Sequence, residues 1–257
     1  CEPVIHSKHR MTYTDVYAIM TGDEDTRDRY SDIAQMVDSM YKLSQILRAK
    51  RHKRGSIDFD FTETHILIDA NGKVVGLTPY ERNDAHKLIE DFMLAANETV
   101  AEHFKLMESP FVYRVHGAPD PEKMQSLGRF LGASGYALKG NKDSIHPKEI
   151  QKMLESLKGH EDEAVITKMT LRSMQQARYD VDCKGHFGLA AEYYCHFTSP
   201  IRRYPDLQIH RIIKDHLRGR MNERKLAHYE SILPQVAQEA SKLERRAEEC
   251  EREVDKL

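Results

Sequence analysis

Between Gly185 and Arg211 the chain reads GHFGLAAEYYCHFTSPIRRYPDLQIHR, and this stretch concentrates the side chains best suited to chemistry. Three histidines (His186, His196 and His210) accompany the adjacent pair Arg202-Arg203, which Pro200 and Pro205 bracket. Two guanidinium forks on a proline-restricted turn suit phosphate recognition. Each can make bidentate, charge-assisted contacts to phosphate oxygens, and the prolines lower the entropy of presenting them. The alternative on chemistry alone is an exposed helix start with two solvated arginines, because adjacent basic residues are common on surfaces.

Composition limits the partners. At 257 residues the chain is one large domain or two small ones, long enough for a sizeable core. Lys and Arg number 39 against 41 Asp and Glu, so an anion site has to be local rather than a global basic field. No apolar run approaches the ~18 residues that span a bilayer. The N-terminal CEPVIHSKHRMTYTD has neither a signal-peptide core nor an initiator Met, which points to a piece of a longer chain. Cys1, Cys183, Cys195 and Cys250 form no C-x-x-C pair, so reduced thiols in the cytoplasm are expected rather than zinc or disulfides.

The elements that must position this stretch follow from periodicity. Val4 to His9 reads as extended, and Thr12 or Thr14 caps a helix through Met20; a polar link runs from Gly22 to Arg29. Ile33, Met36, Val37, Met40, Leu43 and Leu47 recur at helical spacing, predicting a helix up to Gly55. Its basic end, Arg48 to Arg54, reads as a solvated terminus favoured by the helix dipole. Ile57, Phe59 and Phe61 alternate with polar residues as in a strand. His65 to Asp69 and Lys73 to Leu77 follow, joined by an Asn71-Gly72 turn and closed by Pro79. On pattern alone Phe59 is a core residue, and Glu90 a solvated carboxylate.

Asp84 is the expected N-cap of a long helix striped by Ala85, Leu88, Phe92, Val100 and Phe104. A strand from Phe111 to Val115 comes next, then helices opened by Pro121 and Pro147. A helix is predicted from Glu163 to Tyr179, and Pro205 opens another carrying Ile209, Ile212, Ile213 and Leu217. Val236, Ala240, Leu243, Ala247, Cys250 and Val254 make an apolar seam on a last helix. No repeat, low-complexity tract or domain boundary interrupts the pattern. The predicted class is helix-rich α+β with a small antiparallel sheet.

These segments together resemble the catalytic (RNB) domain of the ribonuclease II/ribonuclease R family of 3′→5′ exoribonucleases. GHFGLAAEYYCHFTSPIRRYPDLQIHR is the most specific match. VIHSKHRMTYTDV, KRGSIDFDF, RNDAHKLIEDFMLAAN, FVYRVH and ERRAEECEREV support it, in the family's order and over nearly the whole chain. The spacing is more similar to ribonuclease R than to ribonuclease II.

The resemblance implies a processive hydrolase that draws single-stranded RNA, 3′ end first, into a channel. It would release nucleoside 5′-monophosphates by Mg2+-assisted attack of water. Tyr13 would position the terminal nucleotide, Phe59 would clamp terminal bases by stacking, and Glu90 would contact the terminal nucleotide's sugar or base. Arg202 would contact the scissile phosphate and stabilise the charge that develops there. Glu251 is a further candidate RNA contact from the same resemblance. His196, Ser199 and Arg203 are placed beside Arg202 by spacing, as RNA-binding or orienting residues.

The family's metal site is a cluster of aspartates in an acidic segment preceding the VIHS motif. The chain begins at that motif, and Asp23, Glu24 and Asp25 do not substitute. The expectation is therefore that Mg2+ ligands lie outside this chain, as do a second clamp aromatic and the flanking cold-shock and S1-type domains. Alone, it would hydrolyse RNA slowly or not at all. An RNA-binding pseudo-enzyme is one alternative; a helical scaffold using the seam from Val236 to Val254 is another. The sequence names no protein partner.

Overall fold

Side-chain caps set most of the helix starts. Thr12 opens α1 (Tyr13–Thr21) by accepting the Asp15 N–H on its Oγ1 at 3.1 Å, and Gly22, at φ 91°, closes it. The polar link from Gly22 to Arg29 is in fact helical. Asp23 accepts the Thr26 N–H at 2.9 Å and starts α2 (Glu24–Arg29), whose acidic first turn and basic last turn complement the helix dipole. The computed structural model describes residues 4–59, 64–79, 82–136, 138 and 145–254.

The chain packs as two compact units. One comprises Val4–Lys50 and Asp58–Phe92; the other comprises Cys1–Pro3, Arg51–Ile57 and Met93–Leu257. In the first unit α1, α2 and α3 (Ser31–Arg54) enclose Ile19, Ala34 and Val37. Its hairpin pairs β1 (Thr64–Ile68) antiparallel to β2 (Val74–Pro79), with a register shift at Leu67/Ile68. The Asn71-Gly72 turn forms as expected. Gly72 sits at φ 80°, and Asp69 Oδ1 accepts the N–H groups of Asn71 and Lys73. The strand expected from Ile57 to Phe61 is absent over 57–59, because the Ile57 N–H donates to Gly188 O at 2.8 Å instead of joining a ladder. Phe61 lies outside the described residues.

α4 (Asp84–Leu106) starts one residue earlier than its expected cap implies: Asn83, not Asp84, caps it, accepting the Ala85 N–H at 3.1 Å. The second unit is built around β3 (Tyr113–Val115) and β4 (Arg178–Asp180), paired antiparallel with Arg114 opposite Tyr179. The helix predicted from Glu163 to Tyr179 therefore stops early, as α7 (Glu163–Ser173). Met174 turns extended at ψ 155°, and the hydroxyls of Thr170 and Ser173 bond back to carbonyls four residues earlier. α5 (Pro121–Ala133) and α6 (Pro147–Ser156) begin at the expected prolines, capped by Asp120 and His146. Among the described residues the antiparallel pairing thus forms two small sheets.

α8 (Tyr204–Leu217) and α9 (Glu223–Val254) complete this core. α9 half-buries only the start of the predicted seam, at Val236 and Ala240. Its inward face is Tyr229, Leu233, Ala237 and Ser241, four apart and aimed at β4 and α8, while Leu243, Cys250 and Val254 are exposed. A 3.6-residue helix packing on a sheet follows that spacing, not a heptad seam. Ser241 Oγ accepts the Tyr179 N–H at 2.9 Å, fixing α9 to β4. Among the described residues no helix is long and apolar enough to cross a membrane.

Candidate active site

The stretch from Tyr194 to Phe197 has no regular structure, so its polar groups need partners from elsewhere. Asn97 on α4 supplies them. Its amide donates to Tyr194 Oη at 3.2 Å, its Oδ1 accepts the Phe197 N–H at 3.0 Å, and its backbone carbonyl accepts the Cys195 thiol at 3.2 Å. His210 on α8 reaches Phe197 O through Nε2 at 3.0 Å, with the two rings stacked 4.6 Å apart. The loop is thereby held from two helices.

Beyond Phe197 the chain turns sharply. Ser199 O accepts the N–H groups of Arg202 and Arg203, at 3.3 and 3.1 Å. Asp206 lies in the first turn of α8 with no exposed surface, and its Oδ1 accepts both the Ser199 N–H at 2.8 Å and Arg203 Nη2 at 2.7 Å. Arg203 is correspondingly 18% exposed at its side chain. Arg202 is exposed, and its guanidinium has no hydrogen bond or ion pair among the described residues. One arginine of the pair is tied inward; its neighbour projects outward.

Around the turn stands a neutral aromatic cluster. Tyr179 Oη and His196 Nδ1 are 2.9 Å apart, and the Arg114 guanidinium sits 4.7 Å above the Tyr179 ring while pairing with Glu244 of α9 at 2.5 Å. Burial, reinforced by the Arg203 and Arg114 charges, holds His196 down to about 2. Burial and the neighbouring His116 hold His186 down to about 3. Tyr179 and Tyr194 are pushed up to about 12, chiefly by burial. Groups this far from neutrality do not exchange protons at pH 7; they serve as fixed hydrogen-bonding walls rather than general acids or bases. His116 Nδ1 accepts the Gly188 N–H at 3.0 Å, and a Cβ on Gly188 would come within 3.1 Å of the same nitrogen.

The structure thus brings Arg202, Arg203, Ser199 and His196 together. Tyr13, Phe59 and Glu90 belong to the other unit. There Tyr13 stacks on His86 with ring centroids 3.9 Å apart, and Glu90, one turn along α4 from His86, pairs with Arg82. Phe59 is half-buried. Glu251 is exposed on the last turn of α9, with no hydrogen bond or ion pair among the described residues; the inward carboxylates of that helix are Glu244 and Glu248, the latter accepting from Gln176 at 2.9 Å.

Sequence reasoning missed Asn97, Arg114, Tyr179 and Asp206. Asn97 had a readable signal, a lone amide in the largely apolar LAAN end of a matched motif. Tyr179 had none, being assigned to a helix. The basic run is only partly solvated: Lys50, His52 and Lys53 are exposed, but Arg48 and Arg54 are half-buried. Arg48 bonds Asp91 at 3.0 Å and Asp84 at 3.3 Å, Arg54 forks onto Glu98 at 2.8 and 2.7 Å, and His52 pairs with Glu155. Carboxylates of α4 and α6 answer these basic groups.

Among the described residues no three His, Cys, Asp or Glu side chains are arranged to hold a metal ion. The described side chains thus offer no ready set of ligands for Mg2+.

Comparison with known proteins identifies the family. The RNB domain model matches residues 1–219. Ribonuclease R 1 of Lactococcus lactis is 43% identical over 256 residues, covering 100% of this chain and 31% of that protein. Ribonuclease R of Escherichia coli is 38% identical over 261 residues, covering 98% of the chain and 32% of that protein. The structure of Mycoplasma genitalium RNase R in complex with ribose methylated single-stranded RNA superposes with a TM-score of 0.89, at 29% identity, over 97% of this chain and 39% of that one. The chain spans about a third of the length of these curated relatives. On sequence and fold alike, it belongs to the RNB domain family.

Proposed function

We propose that this chain supplies the RNA-holding and phosphate-contacting part of a 3′→5′ exoribonuclease of the ribonuclease R type. The observation that carries the reading is the turn at Ser199–Arg203, which presents one exposed guanidinium beside a wall of neutral tyrosines and histidines. A phosphodiester approaching Arg202 meets a fork able to bind two of its oxygens. As water attacks phosphorus and the bond to the upstream 3′ oxygen breaks, negative charge grows on those oxygens and the contact strengthens. The products are a nucleoside 5′-monophosphate and an RNA shortened by one nucleotide with a free 3′-hydroxyl.

Tyr13 and Phe59 would hold the terminal bases by stacking, which reads no sequence. Glu90 would contact the last nucleotide once drawn from Arg82. The described residues offer no ready Mg2+ site, so hydrolysis by this chain alone is expected to be slow or absent while RNA binding persists.

The test is direct. The chain is mixed with 5′-labelled oligo(A), with Mg2+ or with EDTA, and both binding and products are followed. Retarded but intact oligonucleotide in both lanes supports the reading. A Mg2+-dependent ladder would overturn the expected inactivity, and absence of any RNA binding would overturn the functional reading itself.

A further inference from the structure

We propose that Asp206 is the positioning residue of Arg202: by bonding Ser199 and Arg203 from beneath, it fixes the turn that projects the exposed guanidinium. The inference builds on the reading of Arg202 as the phosphate contact, and adds the residue through which that contact is aimed.

Asp206 has a simpler possible role, since a carboxylate in the first turn of α8 complements the helix N-terminus. Three observations exceed that role. A helix-start carboxylate is favoured at the surface, yet this one is completely buried. Its bonded oxygen serves the turn as well as Arg203, accepting the Ser199 N–H at 2.8 Å and Arg203 Nη2 at 2.7 Å. Ser199 is also the residue whose carbonyl collects the N–H groups of Arg202 and Arg203. One carboxylate oxygen therefore fixes the first residue of the turn and the last.

A buried carboxylate needs strong compensation, and the charge-assisted bonds at Oδ1 provide it on one side only, since Oδ2 has no hydrogen-bond partner among the described residues. Arg203 is thereby occupied as the counterion, while Arg202, its neighbour in the same turn, is exposed. In this arrangement the pair of arginines is not a doubled phosphate grip. One member is part of the mount and the other is the contact.

Hydrogen exchange resolved to the 198–204 peptide tests the mount, and oligo(A) protection of Arg202 from phenylglyoxal tests the contact. Asp206→Asn should exchange the amides of 199–203 about tenfold faster, with peptides elsewhere unchanged, and should lose oligo(A) protection of Arg202. Arg203→Lys, which keeps a cation for the native Asp206, should retain most of the native exchange pattern. If Asp206→Asn fails to fold, Arg203→Met combined with Asp206→Leu removes both charges and should show the same local acceleration. Exchange in 199–203 matching the unmodified chain in a folded variant would overturn the inference. Accelerated exchange without any oligo(A) protection in the unmodified chain would leave the mount standing and refute the RNA reading instead.

Discussion

Breaking a buried ion pair on one side leaves an unmatched charge, at a cost of roughly 3–5 kcal/mol. Arg203→Ala does this to Asp206, whereas Arg202→Ala removes an exposed group with no partner among the described residues. Urea unfolding should therefore show a loss of about 3 kcal/mol or more for Arg203→Ala, and a change within about 0.5 kcal/mol for Arg202→Ala. The same contrast reverses in RNA chemistry: Arg202 is the one whose loss should matter to a bound phosphate. His196 and His186 set a second expectation. Their folded values, about 2 and about 3, lie below the unfolded value near 6.5. Unfolding therefore takes up protons as the solution acidifies. The stabilisation is fully present above about pH 7 and is lost progressively below 6.5, by about 1.4 kcal/mol per pH unit for each histidine. Denaturation midpoints at pH 7.5 and pH 5.5 check this, and equal midpoints would mean that the two rings are charged in the fold. The arginine pair and its prolines were legible in the sequence because composition and spacing alone flag them. Its division of labour was not, because only burial separates Arg203 from Arg202.

At the scale of elements, α4 does more than pack. Asn97 satisfies the Phe197 N–H and Tyr194 Oη, both in a segment that has no ladder of its own. Asn97→Ala strands a buried donor and a buried hydroxyl, and thermal or urea unfolding should show a loss of about 1–3 kcal/mol for each group left unpaired. Long periodic helices, proline-opened helices and the Asn71-Gly72 hairpin were readable, since each carries a local signal of period, cap or turn. β4 was not. Its three residues follow directly on a helical pattern, and it is a strand only because β3 lies beside it, a partner more than sixty residues away. The burial of α9 failed for a related reason: which stripe turns inward depended on β4 and α8, which periodicity cannot see.

For the molecule as a whole, a net charge of −2 gives RNA no general attraction. Binding should rest on a few local contacts, so the logarithm of oligo(A) affinity should fall with the logarithm of salt concentration by only about 0.7 per phosphate held. Anisotropy titrations from 50 to 200 mM salt would show this as a shallow slope; a steep one would reveal a wider basic surface. Arg48 and Arg54, the ends of the most basic stretch, are already claimed by Asp84, Asp91 and Glu98. Native chains therefore hold back guanidinium groups that an unfolded chain would release. On a heparin column the tightest-bound fraction of a preparation should be its misfolded one, so that a late-eluting shoulder measures damage rather than affinity for nucleic acid.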